Sequence, residues 1–200
     1  MKIIYARLLG LMLFAMLVLC ACGYKHKVEW QGHYLYIDGE KYTDTGGLYN
    51  ESNIKIGKSD GFTIYEVVGD TEHNYVVSRS FLDQRLYVRE SYAPDKTTID
   101  AVCFNGYIDD CLYDEKIIDC ISSFESDIEL DGEPINGNDE LLQLIKDEGK
   151  PVYVWYEGSA VGEFIGYIFT LDDQYLYYNY SRKMMVEITD EQLEFLLKYL

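Results

Sequence analysis

Cys103, Cys111 and Cys120 are the first side chains in this chain whose type and spacing could do chemistry. Thiols can ligate zinc, attack as nucleophiles or pair as disulfides. Seven and eight residues separate them, which matches no zinc pattern, and no histidine lies nearby. As an odd set they allow at most one disulfide within the chain and leave a free thiol over. Cys120 shares the apolar face of a predicted helix with Ile117, Ile121 and Phe124, where a buried free thiol is expected. None of the three is read as catalytic. His26, His33 and His73 are scattered, and the best nucleophile pairing, Cys103 with His73, rests on coexistence alone. There is no Gly-x-Ser-x-Gly, no His-Glu-x-x-His, no phosphate loop and no dinucleotide fingerprint. With 35 Asp and Glu in 200 residues, any carboxylate pair named for glycoside hydrolysis would be arbitrary. The expectation is a protein that is not an enzyme, with no cofactor, no catalytic residue and no metal site.

Two further groups of residues suggest binding. Tyr153-Val-Trp155-Tyr156 and Tyr175-Leu-Tyr177-Tyr178-Asn-Tyr180 could offer rings to wall sugars or a peptide. The plainer reading is that tyrosine and tryptophan are ordinary strand residues. Asp127-Ile-Glu129-Leu-Asp131-Gly132 resembles the start of a calcium-binding EF-hand loop, with carboxylates at alternate positions before a sharp glycine turn. Its twelfth position is Asn138 where a bidentate Glu is wanted, and Pro134 stands at a normally aliphatic place. A β-hairpin turning at Asp131-Gly132 and leading into an Asn138-capped helix also accounts for Ile128, Leu130 and Ile135, and is the expected structure. The formal charge of −18 repels nucleic-acid phosphates, so no nucleic-acid partner is expected. It suits metal cations or cationic peptides, although excess carboxylate also serves solubility alone.

The N-terminus carries the most specific signal. Lys2 and Arg7 precede an almost wholly apolar run from Leu8 to Leu19. About a dozen residues are too few to span a hydrocarbon core, which needs roughly 20. The run therefore reads as a removable export signal. Leu19-Cys20-Ala21-Cys22-Gly23 follows at once and resembles a bacterial lipobox of the Gram-positive-type cell-surface lipoproteins. Leu19 and Ala21 occupy the branched-apolar and small positions around Cys22, whereas Cys20 has the bulky Leu19 before it. The resemblance covers residues 1–23. It implies a diacylglyceryl (palmitate-type) anchor on Cys22, which becomes the mature N-terminus on the extracytoplasmic face of the cell membrane. Two acyl chains at about 0.8 kcal/mol per buried methylene give durable anchoring. Loss of residues 1–21 removes Lys2 and Arg7 and no carboxylate, moving the formal charge from −18 to −20. Residues 22–27 form a short tether of at most about 20 Å, so the folded body should ride close to the bilayer.

The elements behind these candidates divide the remaining chain into a mainly β region, 28–93, and an α+β region, 98–200, as one domain or two. His33 to Ile37 alternates, Asp38-Gly39 signals a hairpin and Glu40 to Thr43 can return. Asn53 to Ile56, Phe62 to Val68, Tyr75 to Ser78 and Arg85 to Arg89 are further strands. After Thr98 to Phe104, Asp114 can cap a helix through about Phe124, Asn138 can cap Asp139 to Glu148, and Gly149-Lys-Pro151 stops that helix. A meander follows over 152–188. The capping box Thr189-Asp-Glu-Gln192 then opens a last helix ending at Leu200. Tyr36-Ile-Asp-Gly-Glu40 and Glu129-Leu-Asp-Gly-Glu133 echo each other as a conceivable internal repeat.

The fold class expected is α+β: mainly antiparallel β-sheet with two to three helices in the C-terminal half, packed on one side. The function expected is that of a lipid-anchored, non-catalytic binding or accessory module of the cell envelope, holding a glycan, peptide or protein ligand. The alternative is a protective or immunity lipoprotein intercepting cationic antimicrobial peptides. A hydrolase with no recognised motif stands behind both.

Overall fold

The computed structural model describes residues 25–135 and 139–200. Cys20, Cys22 and the Asn138 cap lie outside the described residues. Among the described residues eight strands come first, and three α-helices and five more strands follow; every strand pairing is antiparallel.

The first sheet comprises β1 (Val28–Gln31), β2 (Tyr34–Ile37), β3 (Glu40–Thr45), β4 (Glu51–Ser59), β5 (Phe62–Val67), β6 (Tyr75–Arg79) and β7 (Gln84–Arg89). Its strand order is β1-β2-β3-β7-β6-β5-β4. Asp38-Gly39 and Asp60-Gly61 turn two of its hairpins with both residues at positive φ, from 50° to 91°, as a two-residue turn matching strand twist demands. The sheet curls until its two edges meet: a Cβ on Gly57 of β4 would collide with the side chain of Val28 of β1. Leu35, Ile37, Tyr42, Ile56, Ile64, Val76 and Tyr87 fill the barrel-like interior with Val28.

The second sheet comprises β8 (Ile99–Phe104), β9 (Glu133–Pro134), β10 (Lys150–Tyr156), β11 (Glu163–Leu171), β12 (Gln174–Asn179) and β13 (Met184–Glu187). Its order is β8-β10-β11-β12-β13-β9. The helices are α1 (Glu115–Asp131), α2 (Asp139–Glu148) and α3 (Asp190–Leu196). Asp114 caps α1, accepting from the Lys116 amide at 2.9 Å. Thr189 and Gln192 form the expected capping box on α3.

The helices do not share one side. Alternate residues of β11, β12 and β13 serve two cores. Ile168, Tyr177 and Val186 pack under α1 and α3, while Phe169, Leu176, Tyr178 and Met185 pack under α2. This follows from the period of two along a strand combined with near-continuous apolar runs, which need cover on both faces.

A second correction concerns residues 125–131. They continue α1, so neither an EF-hand loop nor a hairpin forms at Asp131-Gly132. The stripe Ile117, Cys120, Ile121, Phe124 and Ile128 keeps helical spacing and stays buried to its end. The echo between residues 36–40 and 129–133 therefore joins a hairpin turn to a helix end and marks no repeat. The last helix closes at Leu196 rather than Leu200.

The two sheets touch through the β10–β11 connection. Val161 and Ala160 cover Val67, Tyr75, Val77 and Leu86 on the outer face of the first sheet. Leu48 and Gly162 exchange backbone hydrogen bonds of 2.9 and 2.8 Å across the same boundary.

Candidate functional site

One end of the first sheet carries a recess lined by aromatic and charged side chains. Trp30 at the end of β1, the turn Gly32-His33, Asp44 of β3, Phe62 of β5, and Asp83, Arg85 and Tyr87 around β7 line a cavity of about 430 Å³. Its wall is aromatic. The Trp30 ring lies 5.5 Å from Phe62 and 5.6 Å from Tyr87, centre to centre. Burial pushes the Tyr87 hydroxyl above its ordinary pKa, so it remains a donor throughout the neutral range. Trp30 Nε1 is buried and has no hydrogen-bond partner among the described residues. An unpaired buried donor costs on the order of 1–3 kcal/mol.

The rim of the cavity is charged. Arg85 spans two carboxylates, with Nε 2.8 Å from Asp83 and Nη1 3.1 Å from Asp44. Its hydrogen bond to Asp83, and then that to Asp44, hold the guanidinium above its ordinary pKa. The arrangement presents acceptors and donors around a ring-lined recess, the composition of a site for a polar ligand with an apolar or planar face.

Beside it stands the β6–β7 connection. Ser80 and Asp83 close this loop: the Ser80 amide donates to the Asp83 carbonyl at 2.8 Å, and Ser80 Oγ accepts from the Asp83 amide at 3.1 Å. The two residues between them have nowhere inward to go. Phe81 is 98% and Leu82 90% exposed. Sequence reasoning passed over this site. The available signal was a pair of large apolar residues inside a Ser-to-Asp turn, where polar residues are the rule.

The opposite end of the sheet receives His26 and Lys27. The Lys27 amide donates to Asp38 Oδ1 at 2.8 Å, and His26 Nδ1 lies 2.6 Å from Asp38 Oδ2. The His26 and His73 rings meet edge to face at 5.3 Å, and His73 Nε2 lies 2.8 Å from Glu66. Of the segment read as tether, His26 and Lys27 are therefore held against the body. Four residues of β2 separate this end from the cavity, about 15–20 Å of strand.

The sequence-derived candidates fall elsewhere. His73 and Cys103 do not meet. His73 contacts Glu66 and His26, whereas Cys103 Sγ donates to the Tyr107 carbonyl at 2.9 Å in the second sheet. Cys120 is buried and unpaired, as expected, and burial pushes its pKa up to about 11. Of the tyrosine runs, Tyr177 and Tyr178 are core. Tyr153, Phe164, Tyr167 and Tyr180 form a partly open cluster, with centroids 5.0 to 5.4 Å apart around Phe164. The carboxylates of the EF-like segment point to other tasks: Asp127 accepts from Gln192 at 2.7 Å and Glu129 pairs with Arg182 at 3.1 Å. Asp127 and Asp131 also border a cavity of about 510 Å³ with Glu133, Asp172 and Glu187. No set of His, Cys, Asp and Glu arranged to hold a metal is found among the described residues. No described helix is long and apolar enough to cross a membrane.

No protein-family model matches the chain, and no curated protein or solved structure shows significant similarity to it.

Proposed function

We propose that this chain is a lipoprotein held by Cys22 to the extracytoplasmic face of a bacterial cell membrane, where it acts as a non-catalytic binding module. The observation that carries the binding role is the aromatic recess of Trp30, Phe62 and Tyr87, set at the far end of the first sheet from His26 and Lys27. With His26 and Lys27 folded down, the stretch from Cys22 to the body is about 14 Å at full extension. Such an anchor holds one end of the first sheet at the bilayer and turns the recess and Phe81-Leu82 outward, toward wall glycan or an envelope protein. Stacked rings with a mixed-charge rim suit a sugar or peptide face.

A second reading has its own support. The cavity edged by Asp127, Asp131, Glu133, Asp172 and Glu187 has no basic residue among the described residues that line it, which favours a cationic peptide.

Two measurements test the proposal. Palmitate labelling and fractionation of the wild type and Cys22→Ser should show label and membrane association lost in the variant; label that persists overturns the anchor. Soluble peptidoglycan fragments and a cationic amphipathic peptide should then be titrated against tryptophan fluorescence at low and high salt. Binding of fragments that barely changes with salt, and weakens at least tenfold in Phe62→Ala, which removes one ring from the recess wall, supports the recess. Steep loss of peptide binding with salt favours the acidic cavity. No response to either ligand refutes both.

A further inference from the structure

Cys103 and Cys111 are brought face to face by one isolated bridge. The Val102 amide donates to the Leu112 carbonyl at 3.0 Å, and the Leu112 amide donates to the Val102 carbonyl at 2.7 Å. In an antiparallel pair the neighbouring residues, 103 and 111, then form a non-hydrogen-bonded pair with Cα atoms about 4.5 Å apart. That lies within the span of roughly 4.4–6.8 Å that a disulfide bridges. Val102 and Leu112 turn together into the core under α1, so Cys103 and Cys111 turn together to the other face. Both stand there as free thiols, close enough that each perturbs the other's titration. Cys120 belongs to the α1 core, with its sulfur 3.8 Å from the Gln192 carbonyl, and the sheet separates it from the pair.

We propose that Cys103 and Cys111 form a disulfide in the exported protein, clipping the loop 104–110 to β8 and leaving Cys120 as the free thiol. The oxidising setting rests on the localisation proposed above, whereas the pairing rests on register alone. The oxidant is an external disulfide. Cys103 is fully buried and Cys111 partly open, so Cys111 meets it first. The Cys111 thiolate attacks one sulfur of the incoming disulfide and expels the first thiolate. The Cys103 thiolate then attacks the Cys111 sulfur and expels the second. The two cysteine protons pass to the expelled thiolates, so the cysteine pair loses two electrons and the external disulfide gains them as two thiols. Burial pushes Cys103 up and takes Cys111 to about 12, so exchange runs slowly in both directions and the bond serves structure rather than redox turnover.

The deciding experiment uses the full chain, reduced and then exposed to glutathione disulfide, which makes it independent of cellular address. After unfolding in N-ethylmaleimide and tryptic digestion, Cys103 and Cys111 share the peptide 97–116, and Cys120 lies in 117–146. The expected result is peptide 97–116 lighter by two hydrogens and unalkylated, with Cys120 alkylated. Doubly alkylated 97–116, a lasting glutathione adduct, or a cross-link between the two peptides overturns the pairing. Oxidation should also raise the Tm by roughly 5–10 °C, given a loop of this size. That rise should be absent in Cys111→Ser; an equal rise in the variant would place the bond elsewhere. Failure of Cys22 acylation would leave these outcomes untouched.

Discussion

Ile128→Ala and Leu130→Ala, made separately, distinguish a helix from a hairpin at the end of α1. Two residues apart, they would share a face of a β-strand, and both substitutions would then cost alike. On the helix they diverge. Ile128 is 1% exposed in the core with Phe124 and Val186, whereas Leu130 is 79% exposed. Ile128→Ala removes three carbons, about 2.4 kcal/mol at roughly 0.8 each. The cavity left beneath α1 adds to this, because Phe124 stacks on Tyr177 at 4.6 Å and sits too firmly to collapse into the gap. The total is about 3.5 kcal/mol. Leu130→Ala should stay within about 0.5 kcal/mol of wild type. Urea unfolding followed by far-ultraviolet circular dichroism reads the difference. With a slope of about 2 kcal/mol per molar, Ile128→Ala should lower the midpoint by about 1.7 M and Leu130→Ala by under 0.3 M. Equal losses, or a larger loss for Leu130, would refute the helix and the core built on it.

Two further outcomes follow from the second sheet. A Cβ on Gly166 of β11 would land on the Tyr178 carbonyl oxygen of β12, so Gly166→Ala should cost about 3 kcal/mol or more. Gly46→Ala, with open space around it, should be near neutral, and thermal melts of the pair check the contrast. Burial raises the pKa of Tyr177 well above its ordinary value and takes Tyr156 to about 12. Their protonated forms therefore favour the folded state. This stability is present in full below about pH 10, where the unfolded tyrosines titrate, and is lost as pH climbs through the folded values. Exposed rings ionise in the folded state, so the buried ones should appear as a further rise in tyrosinate absorbance that coincides with unfolding, and Tyr177→Phe should move that step to higher pH; full ionisation without unfolding would contradict the burial.

Local chemistry was legible in the sequence wherever it is decided by neighbours along the chain. The Asp38-Gly39 turn, the Asp114 cap and the Thr189–Gln192 box follow from residue types a few positions apart, and all appear in the structure. So does the α+β class, which follows from alternating and helical apolar periods. The end of α1 was misread because Asp131-Gly132 looks the same at a hairpin turn and at a helix terminus. Only the docking of Ile128 against the sheet decides between them.

The candidate recess was illegible for a related reason. Trp30, Phe62 and Tyr87 sit on three different strands and meet because the sheet curls, a long-range event that no local window contains. Sequence alone thus determined most element types and the acidic balance, and it carries the lipobox-like pattern on which the proposed address rests. Tertiary structure decided which faces are covered, which rings converge and which two of three thiols stand opposite each other, because those depend on strand order and register rather than on the run of residues.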